Sequence, residues 1–570
     1  MKFLPIIIMN KTGNPIILTQ ADLELLPKLS EMVFAEDAWA LFSKIISKND
    51  NFLTDLLKAN ASNITLYYFQ KAMKYQNVAQ DFLDQTCPTH LTIDDLNNPY
   101  AKAIYSEALD RKIKVKALKK QKRWKSRLFN LAWFINEMVL WFLDSLRQEA
   151  KVSNFDVLFC CNVARQFDVV IPFAFYLDKK MGKKICILSK KSFAKNLSNT
   201  MTQKTWKGLR RGRYYFLLLY HYFSTLWTFR VSLLEWENQI GNYLTSALDD
   251  WRRKNLKKAI RIYLISKRIL SQNTYRSIVV TDPSDFEARS LCYFAKKEGV
   301  PTLCIQYGLA STTDTEWKYF IQDYVGVIDQ ANAEILAQIG VEKQQIVVTG
   351  NPRFDSFISI PDQARAFREK NGLSFGDKLV AFMSVPYLKE GIGQIEANMN
   401  QENYMQILKS IYEIPNKISS VSLVVKPHPE ELLNLHRECL KSSHSQQVKL
   451  IQNTTSFDVI NAADFIITTY STTGLEAIYL NKPLLMINYT KDPDLAHFAK
   501  IGVAIPIRNP KELILVLEKL LSKSTENDEL EKKRKIYLEQ YQGTEGFKSS
   551  RACANLLNKM ISNHKENYAN

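Results

Sequence analysis

Fully apolar, β-branched runs that break into short polar loops and alternate with helical segments constrain this chain most. Between Ser420 and Tyr489, Val421, Leu423, Val424 and Val425 end at Lys426-Pro427-His428-Pro429-Glu430-Glu431. A helical segment, a short run at Val448–Ile451 and a helix opening at Ser456 follow. Asp464-Phe465-Ile466-Ile467-Thr468 then delivers Thr469-Tyr470-Ser471-Thr472-Thr473-Gly474-Leu475-Glu476 into a helix, and Pro483–Ile487 makes one more strand. Strands apolar on both faces belong in a parallel sheet covered by helices on both sides. Such sheets bind ligands outside the carboxyl ends of their strands. Both polar motifs fall at strand carboxyl ends, so they are expected to face one crevice.

Upstream the same alternation recurs. Phe155–Cys161 reads as a strand, Asn162–Asp168 as a polar loop, Val169–Lys180 as a helix and Lys184–Leu188 as a strand. After an aromatic and basic insertion over 204–270, strands are expected at Ser277–Val280, Pro301–Ile305, Tyr324–Ile328 and Ile346–Val348. The last runs into Thr349-Gly350-Asn351-Pro352-Arg353-Phe354-Asp355, and a polar helical connector, Asp362–Gly376, precedes a new strand at Leu379–Met383. A chain of 570 residues exceeds one core. The pattern divides into a helical region 1–150 with a basic-aromatic end, a Rossmann-like domain 151–355, a second such domain 356–545, and a helix and tail 546–570.

The formal charge of +18 calls for a polyanionic partner. Arg111–Arg127 carries basic residues and no acid, and Leu128–Leu143 after it is rich in Trp, Phe and Leu. Lys204, Lys207, Arg210, Arg211 and Arg213 lead into Tyr214–Tyr220, and Trp251–Arg268 adds a third basic cluster. Basic runs beside aromatic helices suit an anionic bilayer surface. Solvated helix faces are the plainer alternative, and no zinc-finger or RNA-recognition pattern supports nucleic acid. The longest uncharged stretch, Tyr214–Phe229, falls short of the roughly 20 apolar residues of a spanning helix. Eight cysteines without a CxxC pair read as free thiols of a reducing cytoplasm, and no signal peptide is legible at the amino terminus.

Ser471, Thr472 and Thr473 with Gly474 open a helix directly after a strand, where unpaired N–H groups and the helix dipole favour a phosphate. Glu476, one turn in, could accept from a ribose diol; an ordinary capping box is the alternative. Lys426 and Glu430 flank His428, which two prolines hold at the strand end, where it can bind phosphate or move a proton. Ser384, after the Leu379–Met383 strand, is grouped with these donor-binding candidates. HExxH, GxGxxG and GxxxxGK[ST] are absent, which argues against a metal site, dinucleotide enzymes and P-loop NTPases.

Taken in order, Thr281-Asp282 with Glu287 and Arg289, Gln306-Tyr307-Gly308, Gly350-Asn351-Pro352-Arg353, Lys426-Pro427-His428-Pro429-Glu430 and Ser471–Ala477 resemble bacterial surface-carbohydrate enzymes of the GT-B fold. The group includes capsule Kdo and sialic acid transferases, CDP-glycerol glycerophosphotransferases and UDP-N-acetylglucosamine 2-epimerases, and the likeness covers about 153–545. The resemblance implies two doubly wound Rossmann-like domains facing a cleft. It assigns donor phosphate to His428, Ser471, Thr472 and Thr473, ribose to Glu476, and the donor side of the cleft to Gly350, Asn351 and Arg353. A general base is expected among Asp168, Asp282, Asp285 and Glu287, with a structural cap the alternative for Asp168 or Asp282. Relatives commonly carry Gln-His-Gly where this chain has Tyr307. The implied activity is metal-independent transfer of a sugar from a CMP-, CDP- or UDP-linked donor to a glycan or lipid-linked acceptor in lipopolysaccharide or capsule synthesis. A peripheral position on the inner face of the cytoplasmic membrane is expected with it, and no bound cofactor. A CDP-glycerol-type polyol-phosphate transferase is the alternative, then a 2-epimerase or a non-catalytic binding protein.

Overall fold

The computed structural model describes residues 154–191, 201–206, 212–271, 275–310, 320–385, 401–429, 433–443, 445–489, 497–522, 525–541 and 548–569, with Trp317, Glu431 and Asp494. In the first 150 residues it describes 6–9, 15–18, 87–95 and 99–119, most of 72–84, and Leu56 and Val139. The chain divides into two compact units. One comprises 1–163, 183–302 and 315–322, the other 164–182, 303–314 and 323–570.

Strand β1 is Ile6–Met9, β2 Pro15–Leu18, β3 His90–Asp95 and β4 Lys114–Lys119, and they form a sheet of order β2-β1-β3-β4. The amino-terminal region, expected to be mainly helical, thus also contains a four-stranded sheet. Part of the polybasic run is the strand β4, because Lys114-Val115-Lys116 alternates polar and apolar at the strand period, with both lysines exposed and Val115 half-buried. Leu128–Leu143, apart from Val139, lies outside the described residues.

The second sheet contains β5 (Phe155–Cys160), β6 (Ile185–Ser189), β7 (Met201–Thr205), β8 (Tyr275–Val280), β9 (Thr302–Ile305), β10 (Tyr324–Val327) and β11 (Ile346–Val348), in the order β11-β10-β9-β8-β5-β6-β7. Pairings of β5 with β6 and β8, β6 with β7, and β10 with β9 and β11 are parallel. Strand β7 occupies the start of the expected insertion, and the Lys204 ammonium lies 5.1 Å from the centre of the Phe155 ring.

Residues Gly212–Ser271 are helical throughout. Lys257 Nζ nonetheless lies 5.9 Å from the centre of the Tyr222 ring. A straight helix rising about 1.5 Å per residue would hold these residues about 50 Å apart, so the helix doubles back. Leu218, Tyr222 and Thr225 on its first arm are buried, whereas Leu217, Tyr220, Phe223 and Trp227 are exposed, the last 73%. Steps of three and four residues align the exposed set in one stripe.

The third sheet contains β12 (Lys378–Met383), β13 (Val421–Lys426), β14 (Val448–Leu450), β15 (Phe465–Thr468), β16 (Leu484–Ile487) and β17 (Ile505–Ile507), ordered β14-β13-β12-β15-β16-β17 with every pairing parallel. Alternate residues serve opposite faces. Leu379, Ala381, Met383, Ile466, Leu484 and Met486 join one core cluster, and Val380, Phe382, Leu423, Val425, Phe465 and Ile467 the other. That two-sided burial is why these strands carry no polar alternation. The α/β class, with two doubly wound sheets, is as expected. The Asp362–Gly376 connector is a helix over Pro361–Lys370, and the carboxyl-terminal helix spans Lys548–Ala569. No helix among the described residues is long and apolar enough to cross a membrane.

Candidate functional site

From β12 the chain winds one way through β13 and β14 and the other way through β15, β16 and β17. The reversal makes the carboxyl end of β12 a topological switch point, where open α/β sheets take ligands. Met383 at that end pairs with Lys426 on one side and Thr468 on the other. The loops after β13 and β15 therefore leave the sheet on either side of Ser384, as their positions in sequence imply.

Ser471 caps the Thr472–Tyr479 helix, its hydroxyl accepting from Thr473 N at 3.2 Å. The third helical position is Gly474, so Glu476 does not close a capping box. Thr473 Oγ1 and Glu476 Oε2 are buried without a hydrogen-bond partner among the described residues. A carboxylate oxygen so placed is costly unless a donor reaches it, and a diol would supply one. Gly474 must be small: an added Cβ would stand 3.0 Å from Phe498 Cε2 and 3.3 Å from Leu484 Cδ2. A Cβ at Gly308 would lie 4.0 Å from Thr472 Cγ2, which puts the Gln306-Tyr307-Gly308 turn beside the start of this helix.

Across the switch point, His428 is half-buried and its Nε2 lies 2.7 Å from Arg165 Nη2. Guanidinium always donates, so Nε2 accepts and the imidazole proton rests on Nδ1. Arg165 was missed in the sequence because Asn162–Asp168 reads as a polar loop. The helix instead spans Ala164–Met181, and its buried set runs from Gln166 and Phe167 through Val169, Val170, Phe173 and Leu177. Helical spacing from Gln166 onward was the available signal. Lys426 is buried, which lowers its pKa; Glu476 pulls it up and Arg165 pushes it down. Arg165, Lys426 and His428 thus share one electropositive corner. Ser384 spends its hydroxyl within the loop, donating to Glu431 and accepting from His428 N. Glu430 lies outside the described residues.

Arg353 Nη2 donates to Glu476 Oε1 at 2.7 Å. Gly350 turns the chain after β11 at φ +72°, a conformation that favours glycine. Asn351 accepts from Arg353 N at 2.9 Å and donates to Gln306 O at 3.0 Å, so its fully buried amide braces the turn and is not free for a donor. Of that motif, only the Arg353 side chain is brought to Glu476.

The candidate carboxylates separate. Asp168 sits on the Ala164–Met181 helix; partial burial pushes its carboxyl up, while Arg353 and Arg165 draw it back. Asp282 and Glu287 belong to the other unit. Asp282 Oδ1 accepts from Ser284 N at 2.9 Å, Ser284 Oγ at 2.8 Å and Asp285 N at 3.0 Å, the structural cap. Asp285 caps the Phe286–Lys297 helix and accepts from Asn162 Nδ2 at 2.6 Å. Glu287 is buried and paired with Lys190 at 3.0 Å and Lys258 at 3.3 Å. Burial raises the pKa of both Asp282 and Glu287. Neither carboxylate is presented as a free base. Among the described residues no group of three or more His, Cys, Asp or Glu is arranged to hold a metal ion.

Residues 306–558 match the model of the CDP-Glycerol:Poly(glycerophosphate) glycerophosphotransferase family, somewhat under half of the chain. A teichoic acid glycerol-phosphate primase of Bacillus subtilis (strain 168) is 26% identical over 172 residues, 30% of this chain; the matched stretch spans 41% of that relative's length. Among solved structures, the wall teichoic acid polymerase TagF is similar at 12% identity and TM-score 0.44, over 78% of this chain and 99% of that one. A UDP-GlcNAc 2-epimerase from Methanocaldococcus jannaschii is similar at 14% identity and TM-score 0.47, over 71% and 99%. The chain thus resembles the surface-carbohydrate group that its motifs indicate.

Proposed function

We propose that this protein is a transferase of the CDP-glycerol type, moving a polyol phosphate from a cytidine diphosphate donor to an acceptor hydroxyl. The observation that carries it is the grouping of Arg165, Lys426 and His428 with the Ser471 helix terminus at one switch point, because three of these four lie in the stretch that matches the glycerophosphotransferase family. That match favours the polyol-phosphate reading over sugar transfer in lipopolysaccharide or capsule synthesis.

In the proposed step the acceptor oxygen attacks the phosphorus that bears the polyol, and the bond from that phosphorus to the oxygen shared with CMP breaks. CMP leaves, and the acceptor proton passes to a base. Positive groups and helix N–H donors fixed where charge accumulates on the leaving phosphate are the largest available contribution. Arg165, Lys426 and the Ser471 terminus take that role. Glu476 Oε2 accepts from the ribose diol while Arg353 holds Oε1. Asp168, the expected carboxylate coupled to Arg165 and Arg353, is the base. The acceptor is a lipid-linked or polymeric polyol at an anionic membrane surface, held there by the Leu217, Tyr220, Phe223 and Trp227 stripe.

Turnover of CDP-glycerol by the full chain, with CMP release, tests this against CMP-, CDP- and UDP-sugars. Cytidine nucleotides should also raise the melting temperature by linkage, and His428→Ala should remove the shift. Turnover of a nucleotide sugar with none of CDP-glycerol would overturn the polyol reading in favour of glycosyl transfer.

A further inference from the structure

The loop that carries His428 is organised by a carboxylate one position beyond the expected Glu430. Pro427 and Pro429 have no N–H, so His428 N–H is the one backbone donor of residues 427–429. It lies 2.9 Å from Ser384 Oγ and 3.3 Å from Glu431 Oε2. Glu431 N donates back to His428 O at 3.0 Å, which closes the turn. The side chain of Glu431 is fully enclosed. Its Oε2 accepts from the Ser384 hydroxyl, and its Oε1 accepts from Tyr404 Oη and from His436 Nε2, the last at 2.9 Å. Behind these, Tyr412 Oη meets His436 Nδ1 at 3.1 Å. Burial pushes the phenol pKa of both Tyr404 and Tyr412 up, so both keep their protons and Tyr404 stays a donor.

An ionised carboxylate is acceptor-only and has about four lone-pair sites. Here four donors meet them: the hydroxyls of Ser384 and Tyr404, the His436 ring N–H and the His428 amide. A buried carboxylate with every acceptor position taken is a rigid fixture, since any rotation would strand a donor. We propose that Glu431 is a positioning residue. Backed by His436 and Tyr404, it acts through Ser384 and the His428 amide to fix where the imidazole of His428 stands for the donor's phosphate. Its catalytic consequence rests on the transferase reading above; its hold on the loop does not.

Two measurements on the full chain test this. Glu431→Gln replaces one acceptor oxygen by an NH2 donor that opposes a donor on whichever side it faces. Hydrogen exchange in a peptide spanning 425–431, read by mass spectrometry, should show the His428 amide exchanging on the order of tenfold faster in Glu431→Gln. Ser384→Ala and His436→Gln reach the same loop from its two sides and should act in the same direction if Glu431→Gln fails to fold. Unchanged exchange in the folded variants overturns the proposal whether or not a donor is turned over.

The second measurement is a double-mutant cycle on CDP-glycerol turnover. Glu431→Gln should lower kcat on the order of 100-fold with wild-type His428, as a small misplacement of a reacting group does, and far less in the His428→Ala background. Equal losses in both backgrounds would show Glu431 acting independently of His428 and overturn the proposal. Absence of turnover in the wild type would refute the transferase reading and leave the exchange measurement to decide the role of Glu431.

Discussion

Arg353 and Glu476, separated by 123 positions in sequence, meet at 2.7 Å, with Glu476 almost fully enclosed. The pair ties the turn after β11 to the helix that follows β15. One carboxylate oxygen is spent on the arginine, and the other is buried without a hydrogen-bond partner among the described residues.

Removing one partner of a buried ion pair strands the other charge, at a cost of about 3 kcal/mol. Arg353→Leu should therefore lower the urea midpoint by an amount corresponding to roughly that free energy. A loss below about 0.5 kcal/mol in urea unfolding would mean the pair is effectively solvated.

Acid should act through Asp329. Burial alone would raise its carboxyl pKa, but hydrogen bonds and charge from His497, with hydrogen bonds from Asn332 N and Tyr537, outweigh it and hold the carboxyl below its ordinary value. A carboxyl depressed in the folded state contributes stability that is fully present above its unfolded value near about 4, and that is lost as pH falls through the lower folded value. The contribution of Asp329 to unfolding free energy should be constant from about pH 7 to 5 and should decline below about pH 4. In His497→Gln that decline should shrink, and stability at neutral pH should drop by about 2 kcal/mol. Urea titrations at successive pH values check both.

The Arg165–His428 hydrogen bond predicts a shared effect on nucleotide affinity. Arg165→Ala or His428→Ala should each weaken CDP binding about 10- to 100-fold, the range of a lost charge-assisted contact. Because each positions the other, the double variant should lose less than the product of the single losses. Calorimetric titration of the four proteins distinguishes this from independent contacts.

Gly474→Ala should strain the helix terminus, since its methyl group meets Phe498 and Leu484 in a filled core. Overpacking of this kind costs about 1–3 kcal/mol. Weaker CDP affinity should accompany the lower melting temperature, because relief requires the Ser471 terminus to move. Unchanged values for both would show that Phe498 yields freely.

Membrane attachment should depend on the exposed stripe. Tyr220→Ser, Phe223→Ser and Trp227→Ser together should reduce co-sedimentation with phosphatidylglycerol vesicles while leaving the melting temperature within about 2 °C, since these side chains are exposed and surface substitutions cost little. Retained vesicle binding would locate attachment elsewhere on the chain.

Much of the framework was legible because it rests on local pattern. The short, mostly apolar and β-branched runs over Val421–Val425, Phe465–Ile467 and Leu484–Ile487, bounded by turn residues, read as strands buried on both faces, and they are. The prolines around His428 and the hydroxyls before Gly474 marked two loops at strand ends. Sequence thus determined the parallel sheets, the carboxyl-edge position of both motifs and Ser471 as a helix start, since each depends on residues within one element.

The tertiary structure decided what local pattern leaves open. Arg165 lies on a helix and not in a loop, and its meeting with His428 joins positions 263 residues apart. Asp282 and Glu287 look like acids at a strand end, yet one is a turn cap and the other a buried ion pair. Ser384 and Glu431 form one assembly only because β12 and β13 pair side by side. A side chain's chemistry is inherent in its type, whereas its free lone pairs depend on which distant donors the fold brings to it. That difference separates Glu476, with one oxygen open, from Glu431, with none.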